Sequence, residues 1–325
     1  SPLSTQLVVS THSSHIAHEV DFAHMRYFRR HPARNLTETP SSTVINLSEV
    51  FGTQDETAQW VSRYLQATHV DLFFADGAIL VEGAAERMLV PHFIRHHYKE
   101  LHSCYVTLME VGGSHAHRLA PLIEHLGLNT LIITDIDAVE DTTKHKKARP
   151  KRGAGLLTGN NVLKKLHPEK ESLDELLDIA EDKKERGYDD SFSIRVAYQK
   201  AVQVTLKEKE GSSEAIPRTF EDALVFENIN LFREANGTGL LKKFKEAVTT
   251  KNDISELSQA LFDALASGSK AEFALDMLYC EDPASINVPE YIHNGLKWLE
   301  NKLLLRQKEV LLKENESTEV LSKGT

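Results

Sequence analysis

Residues 76–90 read DGAILVEGAAERMLV, and this stretch decides the fold. Its apolar run AILV ends on Glu82, and a second acid, Glu86, follows one helical turn later. A short apolar run that stops at a Glu-Gly turn is typical of a strand buried on both faces, and the spacing after the turn is helical. The two acids are either a turn acid and a helix-start acid, or a pair placed to hold a cation.

The same alternation of strand and helix continues downstream. A helix in AAERMLVPHFIRHHYKEL leads to a strand in CYVTLMEVGG, and a helix in HAHRLAPLIEHLG leads to a strand in NTLIITDID. Short apolar strands joined by helices predict an α/β fold with a parallel sheet built from right-handed crossovers. Sites in such sheets form at the carboxyl ends of the strands, where Glu82, Asp135 and Asp137 lie.

The flanking regions have different patterns. Before residue 70 the sequence predicts an α/β piece, with a strand at 6–10 and a helix at 54–69. After 150, ESLDELLDIAEDKKER is predicted to be a charged helix, and VAYQKAVQVTL is predicted to close the sheet as a late strand. The remainder is predicted to be mostly helical, and 313–325 to be a disordered tail because it lacks apolar periodicity.

The bulk composition bounds the function. The chain has 325 residues, a net charge of −10 and 41% hydrophobic residues, which is typical of a globular protein with two or three domains. No apolar run approaches the roughly 20 residues of a membrane helix, so no membrane partner is expected. The two cysteines, Cys104 and Cys280, are predicted to be buried thiols in a reducing cytoplasm. The first residues resemble neither a signal peptide nor a natural start, which predicts a fragment or a processed piece.

The acids at the strand ends have two interpretations. Asp135 and Asp137 flank one residue just past a strand, where a turn brings both carboxylates to one point beside Glu82. Like charges at that range destabilise the fold unless a cation neutralises them. Oxygen ligands without histidine or cysteine suit Mg²⁺ or Mn²⁺. The alternative is that each acid caps a turn or a helix.

The motifs resemble those of a known family. A strand followed by Glu-Gly, and about fifty residues later a strand followed by D-x-D, resembles the Toprim domain of topoisomerases, primases and several nucleases. In the OLD (overcoming lysogenisation defect) nucleases the glutamate lies in V-E-G-x-x-E after Asp-Gly, which is similar to 76–86 here, with Ala-Ala inside the motif. His12, in STHSSHI, resembles the switch histidine of an ABC-type ATPase, although no Walker A motif occurs in these 325 residues.

The resemblance implies a domain plan and an activity. Residues 1–70 would be the end of an ATPase domain with a linker, 71–215 the Rossmann-like Toprim core, and 216–312 a helical domain. The family hydrolyses DNA phosphodiesters with two divalent ions. The resemblance carries over two groups of acids, one for each ion, and one lysine. The first ion would be held by Glu82, Asp135 and Asp137, and the second by Glu86 and Glu221. Lys270 would offset the negative charge of the transition state. Thr158-Gly159-Asn160 resembles a short family motif near the site, and is otherwise a loop cap.

A basic segment follows the D-x-D pair. KHKKARPKR (144–152) holds six Lys or Arg in nine residues and begins seven residues after Asp137. Such runs are either solvated loops or phosphate contacts, and this position favours a path for the DNA backbone. The residues that would contact DNA are Lys144, Lys146, Lys147, Arg149, Lys151 and Arg152.

The sequence therefore predicts a cytoplasmic, Mg²⁺- or Mn²⁺-dependent DNA endonuclease. It would be the catalytic part of an ATP-dependent OLD nuclease, with ATP bound only by the absent N-terminal domain, through which it would form a homodimer. One alternative is a catalytically inactive Toprim module that binds nucleic acid in an SMC- or RecF-like repair ATPase. A third hypothesis, a topoisomerase or primase, requires a tyrosine in a partner domain for strand passage.

Overall fold

The computed structural model describes residues 7–31, 39–51, 56–112, 115–188, 192–207, 211–279 and 283–305. Cys280 and the predicted tail, 313–325, lie outside these ranges. Within them, no helix is long and apolar enough to cross a membrane. Cys104 is half-buried rather than buried, because it follows a short helix at the surface, where its Sγ donates to the carbonyl oxygen of Glu100 at 3.5 Å.

The described residues of the N-terminal segment form two paired antiparallel strands and three α-helices. Its elements are α1 (Ser14–Glu19), β1 (Arg26–His31), β2 (Ser41–Asn46), α2 (Ser48–Phe51) and α3 (Glu56–Thr68). The predicted helix at 54–69 is confirmed as α3. The predicted strand at 6–10 is wrong over the described residues 7–10, which have no regular structure. Leu7 and Val8 are 84% and 82% exposed there, and no described strand pairs with their backbone.

The strands and helices predicted from 76 to 133 are present. They are β3 (Gly77–Val81), α4 (Ala84–His97), α5 (Lys99–Ser103), β4 (Val106–Glu110), α6 (Ala120–Leu126) and β5 (Asn129–Ile133). Helix α4 continues through Pro91, so this proline does not end it. Gly127 ends α6 with a φ of +66°, a left-handed conformation that favours glycine.

The region after 137 differs from two predictions. Its elements are β6 (Ala138–Val139), β7 (Leu157–Thr158), α7 (Asn161–Lys165), α8 (Leu173–Leu177), β8 (Glu185–Tyr188), β9 (Phe192–Ala197), β10 (Val202–Val204) and β11 (Ser213–Ala215). The charged helix predicted at 171–186 is reduced to α8 and a 3₁₀ turn, because its last residues pair in β8. The strand that completes the sheet is β9, fully buried, whereas β10 pairs with β11 outside the sheet.

The described residues from 220 to 305 are mostly helical, as predicted. The helices are α9 (Phe220–Glu227), α10 (Ile229–Glu234), α11 (Gly239–Thr250), α12 (Ile254–Leu265), α13 (Lys270–Leu278) and α14 (290–305).

One five-stranded sheet organises the molecule, in the order β4-β3-β5-β9-β8. Strands β4, β3, β5 and β9 are parallel, and β8 is an antiparallel edge. The predicted α/β fold with a parallel sheet is therefore confirmed. Since β3 and β5 are neighbours with their carboxyl ends at the same edge, the residues that follow them are brought together.

The two faces of the sheet have separate cores. On β3, Ile79 and Val81 pack with α4 and the helices after 220, whereas Ala78 and Leu80 pack with the N-terminal segment and α6 to α8. Alternate residues of a strand point to opposite faces, so a strand covered on both sides is apolar throughout. This is why AILV has no polar alternation.

Candidate active site

The three strand-end acids lie at the carboxyl edge of the sheet. Glu82 follows β3, and Asp135 and Asp137 follow β5. Asp135 is 5% exposed, and the other two are partly exposed. Asp137 has a φ of +45°, in the left-handed region, and its carbonyl oxygen accepts from the backbone N–H of Gly159 at 2.8 Å. The chain therefore turns sharply at the end of the D-x-D pair.

Glu82 is held by donors from two other elements. Its Oε1 accepts from the hydroxyl of Thr134, from Nδ2 of Asn160 at 2.6 Å and from the backbone N–H of Asp135 at 3.4 Å. Burial raises the pKa of Glu82, and the hydrogen bonds from Thr134 and Asn160 oppose that rise. One carboxylate oxygen of Glu82 is thus fixed by three donors.

Asn160 has both roles that its motif suggested. As the N-cap of α7 its Oδ1 accepts from the backbone N–H of Val162 at 2.9 Å. Its Nδ2 reaches Glu82 and also the carbonyl oxygen of Asp135, at 2.8 Å. The loop cap therefore ties the end of β5 to the end of β3, and Asn160 is buried with 1% exposure.

Three helix starts add charged side chains to the same edge. Glu86 lies in the first turn of α4, Glu221 in the first turn of α9, and Lys270 is the first residue of α13. The Nζ of Lys270 is 2.8 Å from Oε2 of Glu221 and 3.8 Å from Oδ2 of Asp135. The structure therefore brings together a strand-end acid, a helix acid and the lysine that sequence resemblance had singled out.

Burial and like charge perturb these groups. Burial, followed by the charge of Glu221, raises the pKa of Glu86 to about 7. Burial also raises the pKa of Asp135 well above its usual range, with Lys270 acting against the rise and Glu82 adding to it. Burial alone would lower the pKa of Lys270, but Asp135 and Glu221 outweigh it and the pKa is raised. Lys270 is therefore a permanent cation within a cluster of acids.

Asp137 pairs with a cation that the sequence did not reveal. The guanidinium of Arg218 donates to Oδ1 of Asp137 at 2.6 Å, and the Arg218 side chain is 10% exposed. Arg218 directly precedes a capping box in which Thr219 and Asp222 cap α9. Arg218 and Asp137 are 81 residues apart, and no sequence signal joins them.

The residues fit a divalent cation in their chemistry. Five carboxylates lie at this edge, and only three of them have a cationic partner among the described residues: Asp137 pairs with Arg218, and Asp135 and Glu221 pair with Lys270. The other two are Glu82 and Glu86. Buried Oε1 of Glu221 has no hydrogen-bond partner among the described residues, so an acceptor remains for a cation. Within the described ranges no three His, Cys, Asp or Glu side chains are close enough together to form a ready coordination shell.

The basic segment lies beside the acids in the fold. The backbone N–H of Ala148 donates to the carbonyl oxygen of Ala138, and Lys147 forms a bridge with Val139, both just after Asp137. Exposed lysines extend along it at positions Lys144, Lys146, Lys147 and Lys151. The two arginines have protein partners: Arg149 donates to the carbonyl oxygen of Ser255 at 2.7 Å, and Arg152 pairs with Asp178 at 2.8 Å.

The fold and the site define a class of domain. A parallel sheet that places an acid after one strand and a D-x-D pair after its neighbour has the arrangement of a Toprim domain. Residues 73–137 match the family model described as "Overcoming lysogenization defect protein-like, TOPRIM domain". The chain carries an OLD-like Toprim domain, and the resemblance predicted from its sequence is confirmed.

Two curated relatives are nucleases by name. The chain is 28% identical over 320 residues to "Endonuclease GajA" of Bacillus cereus (strain HuB5-5), covering 93% of this chain and 43% of the relative. It is 29% identical over 207 residues to "Endonuclease GajA" of Bacillus cereus (strain VD045), covering 62% of this chain and 32% of the relative. The chain thus spans less than half the length of these relatives.

Solved structures of OLD proteins are also similar. The C-terminal region of the Xanthomonas campestris pv. campestris OLD protein has 19% identity and a TM-score of 0.39, covering 73% of this chain and 98% of that one. The C-terminal region of the Burkholderia pseudomallei OLD protein has 18% identity and a TM-score of 0.36, covering 71% and 99%.

Proposed function

We propose that this chain is a divalent-metal-dependent DNA endonuclease and forms the catalytic part of an ATP-dependent nuclease of the OLD type. The observation that carries the proposal is the meeting of Asp135, Glu86 and Glu221 near the ammonium of Lys270, at the sheet edge where Glu82 lies close to Asp135. A buried excess of carboxylates is costly for a fold, and a cation site is a physical reason to retain it. The names of the two relatives support the same activity.

The chain's residues would hold two ions in two groups. Glu82, Asp135 and Asp137 would hold one, and Glu86 and Glu221 the other. When bound, Mg²⁺ or Mn²⁺ supplies an activated water and charge stabilisation for the leaving oxygen of a phosphodiester.

The remaining residues orient this machinery. Thr134 and Asn160 fix one oxygen of Glu82, so its other oxygen is left to face a ligand. Lys270, with its side chain 42% exposed, would place positive charge beside the phosphate in the transition state. Arg218 would hold the Asp137 carboxylate in place until that carboxylate binds a cation.

The substrate would approach along the basic segment. Exposed Lys144, Lys146, Lys147 and Lys151 follow the Asp137 turn, so their ammonium groups offer phosphate contacts with no sequence readout. Arg149 and Arg152 would contribute after exchanging their present partners. We also propose that an ATPase domain, which the resemblance to the OLD family implies, supplies the contacts of a homodimer.

The test is cleavage of supercoiled plasmid by the 325-residue chain with Mg²⁺, Mn²⁺ or EDTA. We expect metal-dependent nicking by the wild type, its loss in Glu82→Ala, and normal nicking in Glu246→Ala, a matched change at an exposed acid on α11. DNA binding without any metal-dependent cleavage would refute the nuclease and favour the inactive nucleic-acid-binding module. Covalent adducts trapped by denaturation would favour strand passage over hydrolysis.

A further inference from the structure

A buried chain of polar side chains ends on Asp135. The Nε2 of Gln199 donates to Oδ1 of Asp135 at 2.7 Å and to the hydroxyl of Tyr291 at 3.2 Å. The Oε1 of Gln199 accepts from the backbone N–H of Ile136 at 2.7 Å. Gln199 follows β9 and is fully buried, and Tyr291 lies in α14 with 3% exposure. Three separate regions of the chain thus meet at one amide.

The orientation of that amide is fixed by its partners. The N–H of Ile136 can be paired only by the amide oxygen of Gln199, so the NH₂ group must face Asp135 and Tyr291. Turning the amide over would place its NH₂ against the N–H of Ile136 and its oxygen against a carboxylate. Gln199 therefore presents a donor to Asp135 in a single arrangement.

The environment of Asp135 explains why such a contact is useful. It is buried among like charges, with Glu82 and Glu86 nearby, and the ammonium of Lys270 lies 3.8 Å from its Oδ2. Gln199 is neutral, so it holds Oδ1 without competing with a cation for the negative charge. A carboxylate fixed on one oxygen by a neutral donor keeps its other oxygen in a defined position, which for Asp135 is on the side of Lys270.

We infer that Gln199, supported by Tyr291, is a positioning residue that fixes the Asp135 carboxylate for binding a divalent cation. The inference rests on the proposed function, since it assigns Asp135 to the cation site. It extends the site to α14 and to the segment that follows β9, neither of which supplies any of the acids.

The experiment measures Mn²⁺ binding to the full chain by calorimetry, and the Mn²⁺ dependence of plasmid nicking. In Gln199→Met, which removes both donor and acceptor at similar length, we expect Mn²⁺ affinity to fall by about 10- to 100-fold. At saturating DNA, kcat should fall and recover partly at high Mn²⁺, while KM for DNA stays unchanged. Gln203→Met, the same change at an exposed glutamine on β10, should leave all three quantities unchanged.

A second variant covers loss of folding in the first. Tyr291→Phe removes only the hydroxyl that holds Nε2, so it should lower Mn²⁺ affinity in the same direction but by less than Gln199→Met. If Gln199→Met folds and binds Mn²⁺ as tightly as the wild type does, the inference is overturned. If Gln199→Met does not fold, an unchanged Mn²⁺ affinity in Tyr291→Phe overturns it instead.

The outcomes also separate the inference from the proposed function. Weakened Mn²⁺ binding in the variants of a chain that never cleaves DNA would support the positioning role and refute the nuclease. DNA cleavage by the wild type, together with unchanged Mn²⁺ binding in both variants, would support the nuclease and refute the positioning role. A wild type that binds no Mn²⁺ would overturn both.

Discussion

Replacing Lys270 with methionine tests whether its ammonium neutralises the acid cluster. The ammonium is 2.8 Å from Glu221, whose side chain is fully buried, and 3.8 Å from Asp135. Removing one partner of a fully buried ion pair costs about 3–5 kcal/mol, whereas exposed pairs contribute about 0–1 kcal/mol. Because the Lys270 side chain is 42% exposed, we place the loss of unfolding free energy between these limits, at about 2 kcal/mol.

The assay compares thermal unfolding in EDTA and in Mn²⁺. Lys270→Met should unfold a few degrees below the wild type in EDTA, and Mn²⁺ should narrow the gap because the added cation replaces the missing charge. Plasmid nicking should also slow by about 100-fold if the ammonium stabilises the transition state. The control is Lys302→Met, whose ion pair with Glu185 at 2.6 Å is partly exposed, so its loss should cost less than about 1 kcal/mol with no Mn²⁺ effect. Equal stability of Lys270→Met and wild type in EDTA would refute the reasoning.

Three further changes probe other parts of the molecule. Asn160→Ala removes the α7 cap and a donor to Glu82, so the unfolding free energy measured in urea should fall by about 2 kcal/mol. The Mn²⁺ affinity should also fall, and an unchanged Mn²⁺ affinity would contradict the orienting role of Asn160. Burial raises the pKa of Glu227 from 4.5 to about 7, so the native state holds this proton more tightly and unfolding free energy should decrease as pH rises from 4.5 to 7. Glu227→Gln should remove up to about 3 kcal/mol of that pH dependence. If the unfolding free energies of the variant and the wild type change with pH in parallel, the raised pKa of Glu227 is not the cause. Changing Lys146 and Lys147 together to glutamine should reduce the slope of log DNA affinity against log salt by up to about 2, whereas an identical slope would show that neither contacts phosphate.

Four of the five acids were predictable because their signal is local, whereas Glu221 came only from the resemblance to the family. Glu82 and Glu86 lie four residues apart, and Asp135 and Asp137 lie two apart. The first acid of each pair comes within two residues of the end of an apolar strand. A parallel sheet then brings adjacent strand ends together whatever the loops between them contain. The fold was predictable for the same reason, since the strands from 77 to 133 are short apolar runs separated by helices. Which acids ligate a cation stays a prediction.

The supporting side chains could not be predicted, because their partners are distant in sequence. Gln199 lies 64 residues from Asp135, and Arg218 lies 81 from Asp137. Glutamine and arginine are usually surface residues, and only the fold, which brings the segments after β9 and before α9 to the D-x-D turn, gives these two another role. The misplaced late strand has the same origin, since both FSIRVA and VQV have strand propensity and only register with β5 selects the first.

Lys270 shows how a local rule is broken where the site requires it. Helix N-termini carry partial positive charge, so a cation at the first position of a helix is unfavourable by about 0.3–1 kcal/mol, whereas Glu86 and Glu221 lie in first turns where acids are favoured. The acids therefore gain from their helices, and the lysine is placed against its own helix dipole. The favourable charges of Asp135 and Glu221 compensate this cost. A lysine at a helix start that faces acids from two other elements therefore indicates a charge-balanced site rather than a solvated surface.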